Sequence, residues 1–263
     1  MSAVTASPIA DPPPFLGVAK SVTGRRWQER CAGMAVQNHI AKMVQAHGLP
    51  ELLARVLAGR QVAPDEAARH LAPRLRDLMP DPDTLLDMDA AVRRLVRAIR
   101  RGEIVAVFGD YDVDGAASAA MLAGYLRQLG LRAPIHIPDR ITEGYGPNAA
   151  AITALAAEGA TLLVCVDCGT SGHGPLEEAE KLGLDVIVLD HHAAAEQLPP
   201  ARAVVNPNRL DDLSGLGHLC AAGVVFLTLA ALNRALRRDG YFGSDRPEPT
   251  LTDALDLVAL ATV

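Results

Sequence analysis

Between Gly102 and Pro207 the chain alternates short apolar runs with segments of helical period. The runs IVAVFG, APIHIP, TLLVCVD, DVIVLDHH and ARAVVNP are each closed by glycine, proline or a polar residue, and read as strands. The segments between the first four, AASAAMLAGYLRQLG, PNAAAITALAAEG and PLEEAEKLG, read as helices. Strands alternating with helices imply βαβ units. The predicted fold class is therefore α/β, a parallel sheet with helices on both faces. LCAAGVVFLTLAALNRALRR is too long for a strand and reads as a buried helix, and TDALDLVALATV begins another.

Upstream the period is helical from about Trp27 to Gly102: LPELLARVLAG, then PDEAARHL with Pro64 in a first turn, then MDAAVRRLVRAIRRG closed by Gly102. In the last of these, Val92, Leu95, Val96 and Ile99 recur at i, i+3, i+4 and i+7. Arg93, Arg94, Arg97, Arg100 and Arg101 fill the remaining surface and are expected to form a solvated face rather than a phosphate-contacting patch. The proline-rich, small-residue start has the composition of a flexible tail. The expected organisation is a tail over 1–25, a helical region over 26–102 and an α/β domain over 103–263.

Composition adds bounds. With 263 residues, 49% of them apolar, the chain can bury a substantial core, and a formal charge of −6 argues against a generally basic nucleic-acid coat. Four scattered cysteines do not make a disulfide framework and suggest a reducing compartment. No apolar run reaches the ~18 residues that span a bilayer, and the first residues lack a signal-peptide pattern. A cytoplasmic location with no membrane partner is expected.

Ligands of open parallel sheets bind at the carboxyl ends of the strands. Here those ends deliver Asp110, Asp112 and Asp114, then Asp167, then Asp190, His191 and His192. Close carboxylates repel one another unless a cation sits among them. Carboxylates mixed with imidazole suit Mn²⁺ or a similar divalent ion better than Ca²⁺. This many anionic ligands suit two ions ~3.5 to 4 Å apart sharing a bridging carboxylate, for which Asp167 is the candidate. Gly115 and Ala116 open a helix whose N–H groups can receive an anion; Gly169 and Thr170 repeat the device, and Arg140 adds a cationic clamp.

Two blander readings compete. DYDVDG begins like a calcium loop, but its twelfth position is Met121 rather than Glu, and a strand precedes it. Cys165 and Cys168 form a C-x-x-C; three residues apart on a strand they point to opposite faces, so the thiols are expected not to meet, and Cys165 is expected in the core. The remaining histidines have no polar company and receive no role.

DYDVDG, VDCG and DHH together resemble the first three motifs of the DHH phosphoesterase superfamily, and within it the RecJ-type single-stranded-DNA exonucleases. The resemblance runs from about Leu78 to Val263 and includes LMPDPDTLLDMDAAV, IPDRITEGYGPN, VVNPN and LDLVALATV. Phe108 stands where the superfamily's pyrophosphatases and small-nucleotide phosphodiesterases usually carry histidine, and the preceding helical region also favours the RecJ type. The resemblance implies Asp112, Asp114, Asp167 and His191 as metal ligands, with Asp110, Asp114 and His192 in catalytic roles. It implies Mn²⁺ or Mg²⁺ as cofactor, and hydrolysis of single-stranded DNA from the 5′ end to nucleoside 5′-monophosphates in repair and recombination. Implied partners are single-stranded DNA, a single-stranded-DNA-binding protein and a helicase. It also places a fourth-motif aspartate just beyond Val263, making this chain the N-terminal part of such an enzyme. Two alternatives stay open: a phosphohydrolase of short nucleotides or pyrophosphate, and a catalytically inactive nucleic-acid-binding fragment.

Overall fold

A computed structural model describes residues 13–263. The chain divides between Met79 and Pro80 into two compact units. The first carries α1 (Met34–His47), α2 (Glu51–Gly59), α3 (Ala67–Leu71) and α4 (Leu75–Leu78). Its core gathers Ile40 and Met43 of α1, Ala54 and Leu57 of α2, and Ala67 of α3. Of the expected tail, residues 1–12 lie outside the described residues. Residues 13–25 turn back on the chain: Phe15 N donates to Trp27 O at 3.0 Å, and Trp27 N donates to Val18 O at 3.1 Å.

The second unit opens with α5 (Met88–Arg101), then β1 (Ile104–Phe108), α6 (Val113–Gln128), β2 (Ile135–His136), α7 (Ala149–Ala157), β3 (Ala160–Val166), α8 (His173–Lys181), β4 (Asp185–Leu189), β5 (Ala203–Val205), α9 (Ala221–Arg238) and α10 (Leu255–Thr262). The five strands form one sheet of order β2-β1-β3-β4-β5, and every pairing is parallel. β2 is only two residues long and pairs with Val107 and Phe108. Helices cover both faces. α7 and α8 pack on one over Ala106, Phe108, Leu163, Cys165 and Val188; α5, α6 and α9 pack together on the other. Val105, Val107, Val164 and Ile187, of the opposite parity, are fully buried there.

Placing α5 in an upstream helical region does not match the observed division. Its apolar stripe, Met88, Ala91, Val92, Leu95, Ala98 and Ile99, is buried against α9 and β5, so it belongs to the sheet's unit. Nor is every arginine of α5 on a solvated face. Arg94 is 9% exposed and donates through Nε to Asp185 and through Nη2 to Glu103, both at 2.6 Å. No helix among the described residues is long and apolar enough to cross a membrane.

After β1 the chain crosses to β2 on one side, then returns to place β3 on the other. Strand order therefore reverses between β1 and β3, where open α/β sheets leave a crevice at the carboxyl ends.

Candidate metal centre

The motif after β1 enters that crevice. Asp112 is the N-cap of α6, its Oδ1 accepting from Asp114 N at 2.9 Å and Gly115 N at 3.0 Å. Asp110 is buried, with Oδ1 lacking any partner. Burial and the neighbouring Asp112 raise its pKa against the pull of the Tyr111 N–H, His192 and Arg140.

Asp167 follows β3 in a left-handed conformation, φ 59°, uncommon for a residue with a Cβ. It is 1% exposed and neither carboxylate oxygen has a hydrogen-bond partner. Oδ1 lies 3.3 Å from His191 Nε2 and 3.9 Å from His192 Nδ1. Burial, eased by His191 and aggravated by Asp114 and Asp112, pushes its pKa up to about 7. A buried carboxylate with acidic neighbours and only His191 to offset its charge is costly for the protein alone, and fits a cation.

Asp190, after β4, is its opposite. Oδ1 accepts from His191 N at 2.7 Å, His192 N at 3.2 Å and His192 Nδ1 at 2.8 Å, while Oδ2 accepts from Thr170 N at 3.1 Å. Burial alone would raise its pKa, but the bonds from His192 and Thr170 outweigh it and bring it to about 2. His192 is reciprocally raised to about 9, chiefly by Asp190, and His191 is raised chiefly by Asp167. A ring that gives one nitrogen to a carboxylate keeps the other for a metal.

Ligand atoms gather in two triads, Asp167–His191–His192 and Asp110–Asp112–Asp167, with the atoms of each within 4.8 Å of one another. Asp167 belongs to both. The donor set of carboxylates and imidazoles suits Mn²⁺, and the orphaned oxygens of Asp167 and Asp110 supply lone pairs for coordination.

Asp114 stands apart from both triads. Its Oδ2 and Oδ1 accept from Ala221 N and Ala222 N, each at 2.8 Å, so the carboxylate clamps the first turn of α9, with His191 Nε2 3.6 Å away. α9's N-terminal dipole draws it there.

The expected phosphate cradle at Gly115 and Ala116 is occupied by the chain itself. Gly115 N donates to Asp112 Oδ1 and Ala116 N to Asp112 O, at 3.0 and 2.9 Å. Gly115 is small because a Cβ there would come within 2.5 Å of the Asp110 backbone. Thr170 is buried too, its Oγ1 accepting from Asn206 Nδ2 at 2.9 Å, so it braces the β3 and β4 turns instead of facing a ligand. Gly169, with φ +105°, is packed on the core, where a Cβ would come within 2.9 Å of Cys165 Cβ, while its backbone lines a cleft of roughly 440 Å³ with Tyr145 and His192. Arg140 is exposed, its guanidinium 5.1 Å from the Tyr111 ring centroid.

The C-x-x-C reading is corrected. Asp167's left-handed turn breaks the strand alternation, so Cys165 and Cys168 face the same α7–α8 core as neighbouring thiols. The Cys165 thiol and burial push the Cys168 thiol well up, leaving it inert as a nucleophile. Residue patterns gave no role to Tyr145, Asn206 or Asn208. Tyr145 Oη donates to Asp167 O at 3.3 Å and lies 3.2 Å from His192 Nδ1. Asn206 and Asn208 donate to the carbonyls of His192 and His191. Their position just past β5 was the available signal.

Comparison with known proteins gives the chain a family. The model of the DHH family, N-terminal domain, matches residues 104–262. The single-stranded-DNA-specific exonuclease RecJ of Salmonella typhimurium is 39% identical over 217 residues, 82% of this chain and 37% of that protein. The RecJ of Escherichia coli is 38% identical over the same shares. This chain thus spans under two fifths of the length of these curated relatives. A crystal structure of exonuclease RecJ bound to manganese is 36% identical, with TM-score 0.58, covering 68% of this chain and 43% of that one. RecJ from Thermus thermophilus in complex with Mn²⁺ gives TM-score 0.65 at 29% identity over 86% of this chain and 30% of that one. By its motifs, its sheet and these matches, the chain belongs to the DHH family.

Proposed function

We propose that this chain carries the metal centre of a single-stranded-DNA exonuclease that works from the 5′ end, releases nucleoside 5′-monophosphates, and serves DNA repair and recombination in the cytoplasm. The observation that carries the reading is Asp167: a buried carboxylate with two unpartnered oxygens, common to two triads of ligand atoms. The names of its RecJ relatives supply the substrate class.

Asp110, Asp112, Asp167, His191 and His192 would hold Mn²⁺ or Mg²⁺, two ions in this reading, with Asp114 as a further ligand by resemblance. The ions would lower the pKa of an attacking water and offset charge on the phosphoryl oxygens. The chain's own residues do the positioning. Asp190 orients the His192 ring through Nδ1, Tyr145 bears on the same ring, and Asn206 fixes the backbone behind it. Arg140 is the exposed cation near Asp110 that can meet a substrate phosphate, and the backbone of Gly169 lines the neighbouring cleft.

The test uses single strands labelled at either end, with Mn²⁺, Mg²⁺ or chelator. Metal-dependent release of mononucleotides from the 5′ end is expected, with a loss of about a thousandfold or more in Asp167→Ala and His191→Ala. Faster turnover of a dinucleotide or pyrophosphate than of long strands would move the reading to a small-substrate phosphohydrolase. Cleavage unchanged in both variants would remove the metal centre from the chemistry.

A further inference from the structure

A groove of roughly 740 Å³ lies between α5 and α9, lined by residues that have no part in the metal centre. Its floor is aliphatic: Val92 and Val96 of α5 against Ala231 and Ala235 of α9. Each pair is four residues apart, so the floor follows both helix axes. Basic stripes flank it. Arg93, Arg97 and Arg101 repeat at i, i+4 and i+8 along α5, and Arg234 and Arg238 repeat at i, i+4 along α9. In a chain of formal charge −6, six arginines against three aspartates make this lining a local positive surface.

Not all of that charge is answered from within. Arg93 pairs with Asp89, Arg100 with Asp239 at 3.1 Å, and Arg234 with Asp81 at 3.1 Å and Asp83 at 2.6 Å. Arg97 and Arg101 are exposed and, among the described residues, have no ion pair or hydrogen bond. Being one turn apart on one face, they present two cations ~6 Å apart, the spacing of acidic residues at i and i+4 on an opposing helix.

From this arrangement we infer that the α5–α9 groove is a docking surface for an acidic amphipathic helix of a partner protein, its small aliphatic face on the Val92–Val96–Ala231–Ala235 floor and its carboxylates on Arg97 and Arg101. A helix of three to four turns fits, since the 14 residues of α5 run ~21 Å. A single nucleic-acid strand suits the groove less well. No aromatic side chain lines it for base stacking, and its aliphatic floor offers nothing to a phosphate backbone.

The test titrates the protein, in chelator, against two fluorescent probes by anisotropy. One is a synthetic peptide of about four helical turns with leucine and alanine on one face and glutamates on its flanks; the other is an oligo-deoxythymidine strand. Saturable peptide binding is expected, weakened about tenfold or more by the double substitution Arg97→Glu with Arg101→Glu, and equally weak for a scrambled peptide of the same composition. Arg97→Gln with Arg101→Gln should fall between the two. Among the described residues neither arginine makes a hydrogen bond, so the glutamine variant should leave thermal unfolding nearly unchanged, while the glutamate variant, which places like charge near Glu103 at the C-terminal end of α5, is compared with the parent by circular dichroism to show that it remains folded. The inference is overturned if peptide binding is absent, survives charge reversal or survives scrambling. It is equally overturned if only the oligonucleotide binds and the double variant loses it. None of these outcomes bears on the metal centre.

Discussion

Asp167 shows how a single residue can be badly placed for stability and well placed for a ligand. In the folded chain its pKa stands near 7, against about 3.9 unfolded, so ionising it opposes folding. The cost is absent below the unfolded value, grows as pH rises towards 7, and is constant above. Asp167→Asn removes the charge and tolerates the left-handed backbone. In metal-free protein it should therefore raise stability at pH 8 by on the order of 2–4 kcal/mol, leave it unchanged near pH 4, and abolish Mn²⁺ binding. Urea unfolding at the two pH values measures the first part and Mn²⁺ calorimetry the second; equal stability at both would show that the carboxylate bears no strain. The sequence already suggested Asp167 as a bridge, because strand ends in a parallel sheet share an edge. Its left-handed turn left no trace in residue type, so the meeting of Cys165 with Cys168 was not legible.

Elements explain what individual residues did not announce. DYDVDG reads as one wall of carboxylates, yet α6 begins inside it. Asp112 caps the helix, Gly115 lets the turn press on the Asp110 backbone, and Asp114 is carried round to the first turn of α9. α9 starts about a hundred residues later, so no local pattern marks that partnership. Asp114 is thus the hinge pin between α6 and α9, whatever it also gives to a metal. Asp114→Ala, which leaves two buried N–H groups at Ala221 and Ala222 unanswered, should cost about 3 kcal/mol in metal-free protein. Asp114→Asn, keeping one acceptor, should cost about half as much. Denaturant midpoints in chelator isolate this role from any ligand role; an alanine variant as stable as the parent would show that α9 caps itself. The strands and long helices, by contrast, followed from hydrophobic period alone. β2 is the weakest of them, two paired residues where six were expected, because Pro134 and Pro138 lack the N–H a longer ladder needs.

At the scale of the molecule, the two edges of the sheet answer their carboxylates differently. The carboxyl-end edge leaves Asp110 and Asp167 with raised pKa values, suited to a cation, and lowers only Asp190, through His192 and Thr170. The amino-end edge is neutralised by arginine. Arg94 reaches from α5 to Glu103 before β1 and to Asp185 at the head of β4; Thr161 of β3 also donates to Glu103, and Arg202, just before β5, donates to Asp185. This knot explains why the compact unit begins near Pro80 and not at the glycine that closes α5, a boundary that helical period could not reveal. Burial alone would raise the pKa of Glu103 and Asp185, but hydrogen bonds from Arg94, joined by Thr161 and Arg202, leave both lowered. Such groups contribute stability that is present above their unfolded values of about 4 and lost as pH falls through the lower folded values. Arg94→Met keeps the packing of the stem but leaves Glu103 with only Thr161 and Asp185 with only Arg202, which should cost about 2–3 kcal/mol at pH 7. Once the acids lose their arginine, acid relieves them instead, so the penalty should shrink steadily from pH 6 towards pH 3. Thermal unfolding of both proteins across that range decides it. A penalty that stays constant with pH would mean that Arg94 acts through its hydrocarbon stem and not through charge, and that the two edges of the sheet do not differ electrostatically.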